Sequence, residues 1–463
     1  MKKIILLVLI PIAVNAQNNH VKLINQFMDG QFRYFKFNGN VLVSDSGKII
    51  YQQALGFADY NSKRALDNNS VFELASVSKQ FTAMGIMICM EKGLLDYNDN
   101  IKKFFTDLPY SNITVRNLLT HTSGLPEYED QFEKNWDRKK IAFNKDVVEM
   151  LQQVKDTLFF KPGTRWKYSN TGYALLATII EKVSGTTYNN FMTANVFNPL
   201  GMMTTYVYNT RRTKRKTPAN YALGYVYSDS LKRYMLPDSL PAYSYVYYLD
   251  GIVGDGCVNS TTGDLLKWDR ALYENSLVSK ASLKEMLSPL VQRSAGDSTN
   301  YYGFGMMISP KTERGKVTSH TGGWPGYRTM ITRFVDSNQT IIILSNNETN
   351  PGSINAGITS ILSDQPLVMP YEHKAAKIDP AILDRYVGKY SAFMTLIFIK
   401  KDGKLYRHRE GTPDIELIPE SETKFFYSDG TDRQIEFDVN KNGKVLKAWF
   451  INTGQKGELK KIE

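Results

Sequence analysis

The chain has 463 residues, of which 42% are hydrophobic, 12% aromatic and 22% charged, and its formal net charge is +11. At roughly 100–200 residues per domain this length predicts two or three domains, and the composition excludes collagen-like, coiled-coil and wholly disordered chains. Two cysteines exclude a disulfide framework, and the five histidines include no His-Glu-x-x-His pair. Spacing alone leaves open whether Cys89 and Cys257 pair, and we interpret both as packing residues. We therefore expect a globular, multidomain protein. Among the classes of protein that remain, an enzyme without a metal or cofactor is the one that we favour.

The first residues have the layout of a secretory signal peptide. Lys2 and Lys3 form a positive start, an apolar run covers residues 4–14, and a small-residue cleavage site ends at Ala16. The apolar run is shorter than the roughly 20 residues that a membrane-spanning helix needs. The sequence therefore predicts a signal peptide at residues 1–16 and a periplasmic or secreted protein without a membrane span. A buried N-terminal strand or helix is the alternative.

The densest basic cluster lies at residues 211–216. In a cytosolic protein such a cluster would suggest phosphate-backbone binding, but export removes nucleic acid as an expected partner. We interpret the cluster as a solvated loop, and contact with anionic envelope polymers is the alternative.

The predicted elements place strands at the two ends of a long segment and helices in its middle. Two β-rich runs around a Ser-Gly turn predict a hairpin within residues 41–51. Helical patterns predict helices at residues 74–90 and about 171–183, each followed by a glycine that suits a helix end. Strands return at residues 317–321, 329–335 and 340–344. This order predicts an α+β domain whose terminal strands share one sheet.

The pattern of the sequence changes after residue 362. We interpret residues 363–380 as a linker. Beyond it, short β-rich runs are separated by the hairpin signals Asp402-Gly403, Asp429-Gly430 and Asn442-Gly443. Two domains are thus expected, one at residues 17–362 and a small antiparallel β domain at residues 381–463.

Ser76-Val77-Ser78-Lys79 is the first pattern that bears chemistry. Residues three apart share a helix face, so Lys79 would lie one turn beyond Ser76 and within reach of its hydroxyl. A serine needs a neighbouring base to become a nucleophile, and a desolvated lysine can serve. The same pattern recurs at Ser421-Glu422-Thr423-Lys424, where no apolar helix follows, and we interpret that copy as chance.

Two further patterns mean little when each is taken alone. Tyr168-Ser169-Asn170 precedes the second helix and offers a proton-transfer hydroxyl and an amide, although a bare loop explains it as well. His320-Thr321-Gly322 closes a predicted strand and is followed by Gly323. This small, open edge suits pairing with an extended substrate. The plainer interpretation is a strand that ends at a glycine turn, with His320 in the core.

Taken together, the order and spacing of the three patterns resemble those of the serine penicillin-recognising enzymes. Over roughly residues 20–362 the chain is similar to the class C β-lactamase-like branch, which includes D-alanyl-D-alanine carboxypeptidases, D-aminopeptidases and esterases. Residues 386–390 resemble the start of a lipocalin-like appendage that some members carry. The resemblance implies a β-lactamase/DD-peptidase-like α+β fold, with an antiparallel sheet flanked by helices, a helical lobe and a small C-terminal all-β domain.

The resemblance also implies a role for each site residue. Ser76 would be the nucleophile that forms an acyl-enzyme, and Lys79 with Tyr168 would form the proton-transfer pair. The expected substrate-binding residues are Asn170, His320, Thr321, Gly322 and Gly323. The oxyanion hole would consist of the backbone N–H groups of Ser76 and Gly323.

His320 stands where β-lactamases of this branch usually carry a lysine that meets the substrate carboxylate. Its ordinary pKa of about 6.5 leaves it mostly neutral near pH 7. We therefore expect a DD-peptidase-like or esterase-like hydrolase of small peptides, amides or esters, with cell-wall fragments as candidates. A true β-lactamase is the alternative, and a non-catalytic protein that binds wall fragments is the alternative of another class. Substrate stereochemistry, the role of the tail domain and the oligomeric state are left open.

Overall fold

The computed structural model describes residues 9–154, 158–208, 218–391 and 395–462. The basic cluster at residues 211–216 and residues 1–8 of the predicted signal peptide lie outside these described residues. Over the part of the chain that the structure describes, no helix combines the length and apolar character that crossing a bilayer requires. The signal peptide and export stay predictions.

The chain forms two compact units, Asn38–Pro351 and a second unit that combines Met1–Phe37 with Gly352–Glu463. The domain boundaries after residues 362 and 380 stay a prediction. The helices are α1 (Leu9–Phe35), α2 (Lys79–Glu91), α3 (Val115–Leu119), α4 (Tyr128–Asn135), α5 (Asn144–Gln153), α6 (Asn170–Ser184), α7 (Tyr188–Met192), α8 (Tyr245–Tyr248), α9 (Thr262–Glu274), α10 (Lys280–Met286) and α11 (Pro351–Leu362). The strands up to the end of the first unit are β1 (Gly39–Asp45), β2 (Lys48–Leu55), β3 (Phe57–Asp59), β4 (Arg64–Ala65), β5 (Phe72–Glu73), β6 (Tyr206–Val207), β7 (Val226–Ser228), β8 (Arg233–Met235), β9 (Val258–Ser260), β10 (Val291–Gln292), β11 (Tyr301–Tyr302), β12 (Met307–Thr312), β13 (Gly315–Trp324), β14 (Tyr327–Phe334) and β15 (Gln339–Ser345). The strands of the second unit are β16 (Gly388–Ser391), β17 (Thr395–Lys401), β18 (Lys404–His408), β19 (Ile415–Pro419), β20 (Lys424–Tyr427), β21 (Gln434–Val439), β22 (Val445–Asn452) and β23 (Gln455–Lys461).

An antiparallel sheet of eight strands, in the order β10-β11-β12-β13-β14-β15-β1-β2, organises the first unit. Strands β1 and β15 lie side by side, with Gly39 opposite Ser345 and Asp45 opposite Gln339. Nearly all of their residues are buried, and this explains why the middle of each strand, residues 41–43 and 341–344, is uniformly apolar rather than alternating. The predicted α+β arrangement, in which early and late strands share one sheet, is confirmed.

Helix α2 is apolar on nearly every face, and all of its residues from Lys79 to Cys89 are buried. Such a helix has to be enclosed by other elements, and α6 packs directly against it. A Cβ on Gly85 would lie 2.8 Å from Ile180 Cδ1, so the glycine allows the two helices to approach closely. Helix α6 ends at Gly185, whose φ of 69° is the left-handed conformation that glycine adopts without strain. Lys79 is thus a charged residue at the buried start of an apolar helix.

The second unit contains α1, α11 and a closed antiparallel barrel of strands β16 to β23. Asp402 and Gly403 connect β17 to β18 with φ angles of 50° and 72°, which is the tight hairpin turn that their sequence predicts. The inside of the barrel is filled by buried side chains, among them Tyr386, Tyr390, Phe398, Phe425 and Phe437. The predicted C-terminal all-β domain is confirmed. Its interior is a packed aromatic core.

Candidate active site

Ser76 lies in a short 3₁₀ helix, Ala75–Ser78, between β5 and α2. Ala75 has a φ of +48°, a conformation that residues other than glycine seldom adopt and that recurs at functional turns. The turn is anchored at Leu74, whose carbonyl oxygen accepts a hydrogen bond from Thr329 Oγ1 at 2.7 Å. Strand β14 therefore fixes the turn that carries the predicted nucleophile.

Lys79 is fully buried, and oxygen acceptors surround its side-chain nitrogen. Nζ lies 3.1 Å from Ser76 Oγ, 2.7 Å from Asn170 Oδ1 and 2.8 Å from the Asp255 carbonyl oxygen. Three acceptors match the three donor positions of an ammonium group, so the side chain is held in one direction. The structure thus places Ser76 and Lys79 within proton-transfer distance, which is the arrangement that activation of a serine by a lysine requires.

Asn170 is the first residue of α6, and its side chain connects two charged groups. Oδ1 accepts from Lys79, and Nδ2 lies 3.0 and 2.9 Å from the two carboxylate oxygens of Glu129. Because lysine only donates and an ionised carboxylate only accepts, these partners determine the orientation of the amide. The backbone N–H groups of Asn170 and Thr171 donate to Glu127 Oε2 at 2.8 and 3.2 Å, which satisfies the start of the helix.

Tyr168 lies beside Lys79, with its ring centroid 4.8 Å from Nζ. Its ring also packs against His121, with 4.3 Å between the ring centroids, and His121 Nδ1 accepts the Ser169 N–H at 3.1 Å. The Tyr168 hydroxyl is buried and has no hydrogen-bond partner among the described residues. A buried hydroxyl with unused hydrogen-bonding capacity beside a lysine can relay a proton or bind an atom of a ligand.

His320 on β13 is buried and has a partner at each ring nitrogen. Nδ1 lies 2.7 Å from the Thr321 carbonyl oxygen, and Nε2 lies 3.0 Å from Tyr302 Oη. A carbonyl oxygen only accepts, so Nδ1 carries the proton and Nε2 accepts from the tyrosine. Burial, with the positive charge of Lys79 as a further cause, lowers the pKa of His320 to about 3. The imidazole is therefore neutral at pH 7 and brings no positive charge to this position.

We expect the buried, neutral His320 to make the stability of the protein depend on pH. Its pKa is about 3 in the folded state and about 6.5 in the unfolded chain, so the unfolded chain binds more protons below pH 6.5 and stability falls as the pH falls. Between pH 7.0 and pH 5.5, wild type should lose about 1 kcal/mol more free energy of unfolding than His320→Gln. Urea unfolding at the two pH values measures this difference. Equal losses in the two proteins would contradict the prediction.

The end of β13 lies against the turn that precedes α2. A Cβ on Gly322 would lie 2.1 Å from the Leu74 carbonyl oxygen, so only glycine fits there. The nearest atom to a Cβ on Gly323 would be 3.4 Å away, which leaves that position open. Thr321 and Gly323 are exposed whereas His320 and Gly322 are buried, as expected for successive residues on opposite faces of a strand.

A cavity opens at the Ser76 turn, and its lining includes Ser76, Asn170 and Gly323. The lining also contains four acidic residues that the sequence patterns did not single out as site residues: Glu73, Glu129, Asp250 and Asp255. No motif spacing marks them, because tertiary packing brings them together from separate segments. Within the described ranges, no group of three His, Cys, Asp or Glu residues is placed to hold a metal ion.

The two cysteines are both thiols. Cys89 is buried in the core, and Cys257 Sγ donates to the Ile252 carbonyl oxygen at 3.1 Å. Cys257 also lines the cavity, so it belongs to the surroundings of the site.

A serine that a buried lysine contacts at the wall of a cavity, in a unit built on an antiparallel sheet flanked by helices, is typical of serine hydrolases of the β-lactamase and penicillin-binding type. The Beta-lactamase family model matches residues 23–363. This chain belongs to the Beta-lactamase family.

Known proteins similar to this chain agree with that assignment. The chain is 44% identical to penicillin-binding protein 4* of Bacillus subtilis over 403 residues. The aligned region covers 84% of this chain and 88% of that protein. The chain is 24% identical to a D-aminopeptidase of Cereibacter sphaeroides over 348 residues. This aligned region covers 73% of this chain and 62% of that protein. The solved structure of a penicillin-binding protein homologue from Pyrococcus abyssi has a TM-score of 0.65 at 24% identity, over 95% of this chain and 99% of that chain, and shares its fold.

Proposed function

We propose that this chain hydrolyses a small peptide, amide or ester through an acyl-enzyme at Ser76. The observation that carries the proposal is the 3.1 Å contact between Lys79 Nζ and Ser76 Oγ at the wall of the cavity. In the first half of the reaction, Ser76 Oγ bonds to the carbonyl carbon and its proton passes to Lys79. The proton then passes through Tyr168 to the leaving group as the bond to that group breaks. In the second half, water cleaves the ester and restores Ser76.

The end of β13 and Asn170 form the proposed substrate site. The backbone N–H groups of Ser76 and Gly323 stabilise the developing oxyanion, and one such donor contributes about 2.7–4 kcal/mol in comparable enzymes. Thr321 is exposed on the strand, where it can bond to the substrate, and Gly322 lets the strand lie against the turn. Periplasmic or secreted location and a substrate of cell-wall origin belong to the same proposal.

Two observations favour a DD-peptidase-like or esterase-like activity over a true β-lactamase. His320 is neutral, so it does not supply the positive charge that would hold the carboxylate of a β-lactam. Relatives named penicillin-binding protein and D-aminopeptidase add support for peptide or amide substrates. The complete set of a nucleophile, a base and a buried hydroxyl argues against a non-catalytic binding protein.

Intact-mass spectrometry after brief exposure of the wild-type chain to an activated ester, and separately to a penicillin, tests this function. We expect an ester adduct that peptide mapping assigns to the segment containing Ser76. A lasting penicillin adduct at the same position would indicate a slowly deacylating DD-peptidase-like site, and rapid penicillin turnover would indicate a β-lactamase. No adduct and no turnover with either reagent would contradict the proposal and favour the binding protein.

A further inference from the structure

Glu129, in the first turn of α4, is a carboxylate of the cavity wall that the proton transfers above do not use. Its two oxygens accept from Asn170 Nδ2 at 3.0 and 2.9 Å, and Asn170 Oδ1 accepts from Lys79 at 2.7 Å. Lys79 in turn lies 3.1 Å from Ser76 Oγ. A continuous series of hydrogen bonds therefore links Glu129 to the nucleophile, and both residues line the same cavity.

The surroundings of Glu129 raise its pKa toward neutral pH. Burial is the largest cause, and it raises the pKa of Glu129 to about 7 although the Asn170 amide favours the ionised form. The other titratable groups that face Glu129 are Lys79, Glu127, Tyr128, Tyr245 and Asp255. The acidic neighbours raise its pKa further and Lys79 lowers it. A group whose pKa lies near the working pH is suited to taking up and returning a proton.

The second half of an acyl-enzyme reaction needs a base for the attacking water, and two charged groups near Glu129, Lys79 and Asp255, already have hydrogen-bond partners. All three donor positions of Lys79 have acceptors, and the Asp255 carboxylate accepts from Tyr128 Oη at 2.7 Å. Within the described part of the chain, the Glu129 carboxylate accepts hydrogen bonds from one amide group, so it retains lone pairs for a water in the cavity. We propose that Glu129 is the general base that activates the deacylating water, a role that rests on the proposed function at Ser76.

The proton transfers of this step balance. Glu129 takes one proton from water as the water oxygen forms a bond to the acyl carbon. Glu129 then gives that proton up through water in the cavity that both residues line, and Ser76 Oγ takes it up as the bond between the acyl carbon and Oγ breaks. The product leaves as a carboxylic acid that ionises in solution, and Ser76, Lys79 and Glu129 are back in their starting states.

The test compares Glu129→Gln with wild type in pre-steady-state kinetics with the activated ester. Glutamine keeps an oxygen that accepts from Asn170 Nδ2 but cannot take a proton from water. We expect the acylation rate to stay within about threefold of wild type and the deacylation rate to fall by about 10²–10⁴-fold, the usual contribution of a general base. The adduct at Ser76 should therefore persist in intact-mass spectra. Asp130→Asn, an exposed neighbour on the same helix, is the matched control and should deacylate at the wild-type rate.

The pH profile separates a base from a residue that only positions Asn170. In wild type, deacylation should increase with pH through about 7, as Glu129 ionises, and become constant above that pH. Glu129→Gln should lack this rise, whereas Glu129→Asp, which keeps a carboxylate, should retain a rise at a reduced rate. Glu129→Asp also serves if the glutamine variant does not fold.

The possible outcomes distinguish this role from the function on which it rests. Equal deacylation rates in Glu129→Gln and wild type, or a parallel fall of acylation and deacylation, would overturn the role of Glu129 and leave the Ser76 acyl-enzyme intact. If neither protein acquires an adduct at Ser76, the proposed function fails and the role of Glu129 fails with it.

Discussion

Ser76→Ala should abolish covalent labelling and lower the rate of hydrolysis by about 10⁴-fold or more, while the protein stays folded. The substitution removes the oxygen that attacks the carbonyl, and losing a serine nucleophile has effects of this size in other serine hydrolases. The hydroxyl has one hydrogen bond, from Lys79 at 3.1 Å, and Lys79 keeps acceptors on Asn170 and Asp255 after the change. Thermal unfolding should therefore remain within about 1 kcal/mol of wild type. Activity and adduct formation are measured with the activated ester.

The chain supplies its own control in the second Ser-x-x-Lys copy. Ser421 Oγ accepts the backbone N–H groups of Thr423 and Lys424 at 3.3 and 3.1 Å, which is a local turn. Lys424 Nζ donates to Tyr371 Oη at 2.7 Å. Ser421→Ala should leave labelling and turnover unchanged. Wild-type turnover by Ser76→Ala, or loss of turnover in Ser421→Ala, would overturn the assignment of the nucleophile.

Gly322→Ala should nearly eliminate activity and destabilise the protein by about 1–3 kcal/mol, the usual range for overpacking a buried site. The added methyl group would lie 2.1 Å from the Leu74 carbonyl oxygen and 2.2 Å from Thr329 Oγ1, so the strand has to move away from the turn. That movement separates the N–H groups of Ser76 and Gly323, and a displacement of about 1 Å at an active site can cost 10²-fold in rate. Urea unfolding and ester turnover measure the two effects.

Gly323→Ala is the matched control for stability. A Cβ at this neighbouring position meets no atom closer than 3.4 Å, so the free energy of unfolding should stay within about 0.5 kcal/mol of wild type. The two glycines differ because β13 turns Gly322 toward the Leu74 carbonyl and Gly323 toward open space. Equal destabilisation by the two substitutions would show that the close approach at Gly322 does not exist.

Local sequence patterns predict most of the fold because they depend on near neighbours. The Asp402-Gly403 turn and the glycine at the end of α6 have the positive φ angles that their sequences indicate. The predicted helix at residues 74–90 was right in place but not in kind at its start, because Ala75–Ser78 is a 3₁₀ helix and α2 begins at Lys79. Long-range contacts, such as the bond from Thr329 to Leu74, hold that turn, and no local pattern reveals them.

In the candidate site, too, local spacing predicts some contacts, whereas others depend on tertiary packing that the sequence does not reveal. The spacing of Ser76 and Lys79 predicts their contact because both lie within one turn of chain. Glu129 and Asp255 reach the site through tertiary packing, and neither stands in a recognisable motif. The neutral state of His320 was expected from its ordinary pKa, but its much lower folded-state pKa depends on burial and Lys79, which only the structure reveals.

Because β1 pairs with β15, the sheet cannot be completed until nearly the whole first unit has been synthesised. Gly39 finds its partner, Ser345, only after about 300 further residues have been made, which at about 5–20 residues per second takes roughly 15–60 seconds. During that interval the apolar hairpin of β1 and β2 exposes an unpaired strand edge, the kind of surface on which chains aggregate. The emerging chain is therefore most exposed to aggregation before the last strand of the sheet has been made.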